Sequence, residues 1–130
     1  MDIPTVLIVD DEADARASLL EFLKYRFNCK FAEARTGSEA VRFVANNPCD
    51  IIILDIKMPG KSGITVIKEA KDLNPCIDIL VLSGWISDDV ADEAVILGAT
   101  DYAVKPIDLN VVNLKFSAIL ERRGQKINKT

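Results

Sequence analysis

The sequence predicts an α/β fold, five parallel strands alternating with five helices that cover both faces of one sheet. Three short apolar runs carry most of that expectation: Val6-Leu7-Ile8-Val9, Ile51-Ile52-Ile53-Leu54 and Ile79-Leu80-Val81-Leu82. Each is unbroken and rich in β-branched residues, the pattern of a strand buried on both faces. Between them the apolar period changes to that of a helix. Alternation at this spacing implies parallel strands joined by right-handed helical crossovers.

The elements follow in order. After the first strand (β1, 6–9), an acidic start at Asp11-Glu12 opens a helix (α1, 11–27) with Leu20, Leu23 and Phe27 on one face. A weaker strand candidate (β2) spans 29–34. Thr36-Gly37-Ser38-Glu39 is a T-x-x-E capping box opening the second helix (α2, 36–44), with Ala40, Val41 and Val44 inward. Beyond β3 (51–54), Ile64, Ile67 and Ala70 mark α3 (64–70). The fourth strand (β4, 79–82) is entered from Ile77. Ser87-Asp88-Asp89 then begins α4 (87–97), which carries Val90, Ala94 and Leu97 and stops at Gly98. Residues 101–104 give β5, and Leu109, Val112, Phe116, Ile119 and Leu120 form the amphipathic stripe of α5 (109–120).

Composition narrows the function classes. The chain has 130 residues and a formal net charge of −4, a globular composition that gives no support for direct nucleic-acid binding. No apolar run is long enough for a bilayer span, and the N-terminus lacks a signal-peptide pattern, so a cytoplasmic setting is expected. Cys29, Cys49 and Cys76 are widely spaced and are expected to be reduced and mostly buried. Histidine is absent, which excludes Ser-His-Asp and Cys-His nucleophile systems and His-ligated metals. The domain is expected over 1–121. Residues 122–130 are basic and aperiodic, and are read as a solvated tail or the start of a linker.

Ligands of an open parallel sheet gather beyond the carboxyl ends of its strands. Asp10 and Asp11 follow β1, Asp55 follows β3, Ser83 and Gly84 follow β4, and Lys105-Pro106 follows β5. The end of β2, Glu33-Ala34, suggests nothing. Each residue alone has an ordinary explanation, such as a helix cap or a solvated charge. Together they bring three carboxylates, a hydroxyl and an ammonium to one edge. Carboxylates this close repel by about 4 kcal/mol per pair at an effective dielectric near 20, so the cluster calls for a cation. Oxygen ligands without His or Cys favour Mg²⁺, or Mn²⁺, over zinc. Asp55 is the natural nucleophile of such a phosphoryl-stabilising clamp.

These motifs, V-L-I-V-D-D-E, I-L-D-I-K-M-P-G-K-S-G, L-S-G and D-Y-A-V-K-P, resemble the receiver domain of two-component response regulators over residues 4 to about 121. The resemblance implies a flavodoxin-like (βα)5 fold with strand order 2-1-3-4-5, placing Asp10-Asp11 beside Asp55. It implies that Asp55 accepts a phosphoryl group from a partner histidine kinase or phosphotransfer protein. Asp11, Asp55 and the Lys57 backbone carbonyl would ligate Mg²⁺, with Asp10 acting through water. Lys105 and Ser83 would bind the phosphoryl oxygens, Tyr102 would swing inward as Ser83 moves, and the peptide before Pro106 would be cis. The response would be a changed α4-β5-α5 surface, read by an output domain or a second copy. Trp85 is bulky for its position: its ring either overhangs the acyl phosphate and excludes water or is an exposed or loop-packing side chain, while Gly84 keeps the position after Ser83 small.

Other classes fit less well. A haloacid-dehalogenase-type phosphatase needs D-x-D, and Lys57 stands at its second acid. An FMN module needs a phosphate loop where Asp10-Asp11-Glu12 stands. A non-enzymatic switch is therefore expected. The alternative is a phosphorylation-independent pseudo-receiver acting as an interaction module.

Overall fold

The computed structural model describes residues 3–56, 63–83, 94–95 and 97–125, with the backbone alone at Ser83. Among these residues the elements are β1 (Thr5–Val9), α1 (Ala13–Arg26), β2 (Lys30–Ala34), α2 (Gly37–Asn46), β3 (Ile51–Asp55), α3 (Gly63–Leu73), β4 (Asp78–Ser83), β5 (Asp101–Val104) and α5 (Leu109–Arg122). Most of the predicted α4 lies outside the described residues, as do Lys57, Met58-Pro59-Gly60, Gly84, Trp85 and 126–130. All strand pairs are parallel, and the order is β2-β1-β3-β4-β5, as expected.

The unbroken apolar runs are explained by two cores, one on each face. Val6, Ile8, Ile51, Ile53, Leu80 and Leu82 pack with Leu23, Phe27, Phe116 and Ile119, under α1 and α5. Their neighbours Leu7, Val9, Ile52, Leu54, Ile79 and Val81 pack with Val44, Val66 and Ile67, under α2 and α3. Side chains alternate across a strand, so a strand covered on both sides needs an apolar residue at every position. Burying each large aliphatic side chain contributes about 1.5–3 kcal/mol before conformational entropy is counted. Phe27 and Phe116 meet edge to face at 4.9 Å, joining α1 to α5.

Local details depart from expectation. Leu19 takes the deep position on α1 and Leu20 is half-buried, while Leu109 is exposed at the start of α5. The Thr36 hydroxyl accepts from the Glu39 N–H as a cap should. Glu39, however, reaches past the cap to the Arg35 N–H at 2.7 Å, because it also meets the Arg35 guanidinium. Of the cysteines, Cys49 is buried, Cys29 is half-buried and Cys76 is exposed, so the expectation of mostly buried thiols holds fully only for Cys49.

The basic C-terminal stretch begins as part of the folded body. Arg122 closes α5, one residue beyond the expected domain boundary at 121, and Arg123 is the C-cap. Its guanidinium donates to Asp78 at 2.7 Å, Asp50 at 3.0 Å and the Cys76 carbonyl at 3.1 Å. Asp50 also accepts from the Thr5 N–H, and Asp78 from the Thr100 hydroxyl. The entrances of β1, β3 and β4 are thus tied to the end of α5. No helix among the described residues is long and apolar enough to cross a membrane.

Candidate functional site

The three acids meet at the carboxyl edge of the sheet. Val9 of β1 is in register with Leu54 of β3, so Asp10 and Asp55 leave neighbouring strands side by side. One carboxylate oxygen from each of Asp10, Asp11 and Asp55 lies within 4.8 Å of the others. Asp10 and Asp55 are only 7% and 5% exposed, whereas Asp11 is open to solvent. Carboxylates buried so deeply need compensation.

Lys105 supplies it from β5. Its Nζ donates to Asp55 Oδ2 at 3.1 Å and stands 3.7 Å from Asp10 Oδ2. Partial burial is the largest single influence on the Lys105 pKa and pulls it down, but the Asp55 hydrogen bond and the charges of Asp55, Asp10 and Glu12 together outweigh it. The net shift is upward, so the ammonium stays charged at physiological pH. The Lys105–Pro106 peptide is cis, as the resemblance implied.

Parity explains why these side chains converge. Asp10 continues the alternation Val6-Ile8, Asp55 continues Ile51-Ile53, and Lys105 follows Ala103 by two. All three extend the row facing α1 and α5. Three short hydrogen bonds fix the Asp10 turn: its N–H to the Ala34 carbonyl, its Oδ1 from the Glu12 N–H, and its carbonyl from Arg16. Glu12 is the N-cap of α1 but makes no side-chain cap, and its own N–H donates to Asp10 Oδ1.

Gly63 is the residue on the far side of the acceptor that sequence reasoning did not single out. Its N–H donates to the Ile56 carbonyl at 3.2 Å, and a Cβ there would lie 2.5 Å from the Ile56 Cα. Only glycine lets α3 begin this close to the end of β3. Arg16 and Glu33 were also missed. A cation near the start of a helix runs against the dipole preference, and that was the available signal.

Of the remaining predicted residues, Tyr102 and the Ser83 backbone are described. Tyr102 sits on the edge strand with 39% of its surface exposed, and Lys115 Nζ lies 5.7 Å from its ring centroid while pairing with Asp101. The Ser83 backbone is in register with Val104, one residue before Lys105. Its side chain and the Lys57 carbonyl lie outside the described residues.

Residues 6–116 match the family model of the response regulator receiver domain. The chain belongs to this family. It is 37% identical over 121 residues to the transcriptional regulatory protein PrrA of Mycobacterium tuberculosis, covering 93% of this chain and 52% of that protein. A receiver domain protein from Methanospirillum hungatei has the same fold, with a TM-score of 0.89 at 23% identity, covering 95% of this chain and 98% of the other. A Burkholderia pseudomallei response regulator was solved with a phosphorylated aspartic acid, a calcium ion and citrate. It is 28% identical with a TM-score of 0.77, covering 84% of this chain and 64% of that one. This receiver domain spans about half or less of the curated relatives it matches first.

Proposed function

We propose that this receiver domain is a phosphoacceptor switch, with Asp55 taking a phosphoryl group from a phosphohistidine on a partner kinase or phosphotransfer protein. The observation that carries the reading is the buried Asp55 carboxylate held by Lys105 beside Asp10 and Asp11. Asp55 oxygen attacks phosphorus, the new O–P bond forms as the P–N bond breaks, and the imidazole nitrogen keeps the electron pair. Lys105, 3.1 Å from Asp55, would hold the charge that develops on the phosphoryl oxygens.

The donor set fits Mg²⁺: oxygen ligands, two acids buried and one solvent-facing, with no nitrogen or sulfur donor among them. Asp11, Asp55 and the Lys57 carbonyl would hold the ion, with Asp10 acting through water; Mn²⁺ suits the same donors. When bound, the ion neutralises the carboxylates and the incoming phosphoryl group. Phosphorylation adds nearly two negative charges, which would draw Ser83 and Lys105 toward Asp55. Tyr102 would then turn inward, changing the α4-β5-α5 surface for an output domain or a second copy.

Its chemistry is confined to gaining and losing this group, which a cytoplasmic partner is expected to donate. Borohydride reduction of the protein treated with acetyl phosphate and Mg²⁺ tests the site. An acyl phosphate at Asp55 is converted to homoserine, and peptide mass locates it there. An unmodified Asp55 peptide would favour a phosphorylation-independent interaction module.

A further inference from the structure

Arg16 lies outside the sequence motifs, yet it holds the turn that carries two of the three acids. Its NH1 donates to the Asp10 carbonyl at 2.7 Å, and its Nε donates to Glu33 Oε1 at 3.0 Å. Only 12% of its side chain is exposed, against 42% for Glu33. The Asp10 carbonyl and the Asp11 N–H belong to one rigid peptide plane. Fixing that carbonyl therefore fixes the peptide plane from which Asp11 continues and narrows the positions its carboxylate can take. The opposite end of the Asp10 backbone is fixed by the Ala34 carbonyl at 3.1 Å. Glu33 and Ala34 close β2, so the edge strand orients the turn from both sides.

We propose that Arg16 is a positioning residue for divalent cation binding, preorganising Asp10 and Asp11 through the Asp10 carbonyl while Glu33 holds the guanidinium in place. The inference rests on the Mg²⁺ site proposed above. Charge and geometry make opposite predictions here. A guanidinium near an acidic cluster repels a divalent cation, so removing its charge alone would tighten Mg²⁺ binding. Losing the fixed carbonyl lets the Asp11 carboxylate wander, which weakens binding. If geometry dominates, replacing Arg16 loosens the metal despite the more favourable charge.

Calorimetric titration with Mg²⁺ of the wild type, Arg16→Met and Arg16→Lys separates the two, with thermal unfolding run alongside to show that each variant is folded. Outer partners of metal ligands typically affect affinity by 10–100-fold, and the lower end, about tenfold weaker binding, is expected for Arg16→Met. Arg16→Lys keeps the charge and one donor but loses the fork between Asp10 and Glu33, so it should fall between. Equal or tighter binding by Arg16→Met overturns the inference. Should that variant fail to fold, Arg16→Lys decides: weaker binding supports the inference, and unchanged affinity overturns it. Absence of Mg²⁺ binding by the wild type itself would overturn the proposed site as well, a result distinct from a variant that merely binds as the wild type does.

Discussion

Lys105 donates to Asp55 at 3.1 Å across the carboxyl edge of the sheet, although β4 lies between their two strands. The contact joins residues 50 positions apart. It places the cation of β5 against the acid of β3, and two buried carboxylates share one ammonium.

Removing that ammonium should have opposite effects on stability and on metal affinity. Lys105→Met takes the Lys105 ammonium away from the buried Asp10 and Asp55 carboxylates, at an expected cost of about 2 kcal/mol, moderated by the partial exposure of Lys105. The same change removes a competitor for the acids, so Mg²⁺ should bind more tightly. Thermal unfolding with and without Mg²⁺ checks both. A variant as stable as the wild type without metal would show that the ion pair contributes little.

Gly63→Ala should destabilise the domain by about 2 kcal/mol or more, because its Cβ would overlap the Ile56 backbone rather than a flexible side chain. The midpoint of urea unfolding measures this. An unchanged midpoint would mean that the start of α3 shifts freely.

Arg123→Ala should cost about 1–2 kcal/mol, since Asp50 and Asp78 lose their shared guanidinium at a partly exposed site. The check is again denaturant unfolding, compared with a chain ending after Gln125. Truncation there should be nearly neutral if Arg123 is the anchor.

The thiols should differ in reactivity and in their effect on alkaline stability. Burial, followed by the Asp50 charge, pushes Cys49 up to about 12 and Cys29 up to about 11. An alkylating reagent at neutral pH should therefore modify exposed Cys76 first, then Cys29, with Cys49 last. Unfolded thiols ionise at about 8.5, so the unfolded chain releases these protons first. The stability of the neutral buried thiols is complete below that pH and is lost as pH rises toward about 11 and about 12. Denaturation midpoints should fall between neutral pH and about pH 10, and less so in Cys49→Ala.

The sheet and the acceptor edge were legible in the sequence because both follow from a period of two. Ile51-Ile53-Asp55 and Val6-Ile8-Asp10 state the facing of each acid directly. Lys105 is legible by the same count from Ala103. Arg16, Glu33 and Arg123 were not, since a charge on a helix or at a chain end is ordinarily solvated. Only the fold brings Arg16 to a carbonyl six residues away, or Arg123 to acids more than 40 residues away. Leu19 displaced Leu20 from the core because helical spacing alone does not fix the centre of a buried stripe.

Intact mass after incubation with acetyl phosphate and Mg²⁺ tests the central claim most directly, with Asp55→Asn and a metal-chelated sample in parallel. The account predicts one phosphoryl adduct on the wild type and none on either control. No adduct on a folded protein shown to bind Mg²⁺, or an adduct that persists in Asp55→Asn, would contradict it.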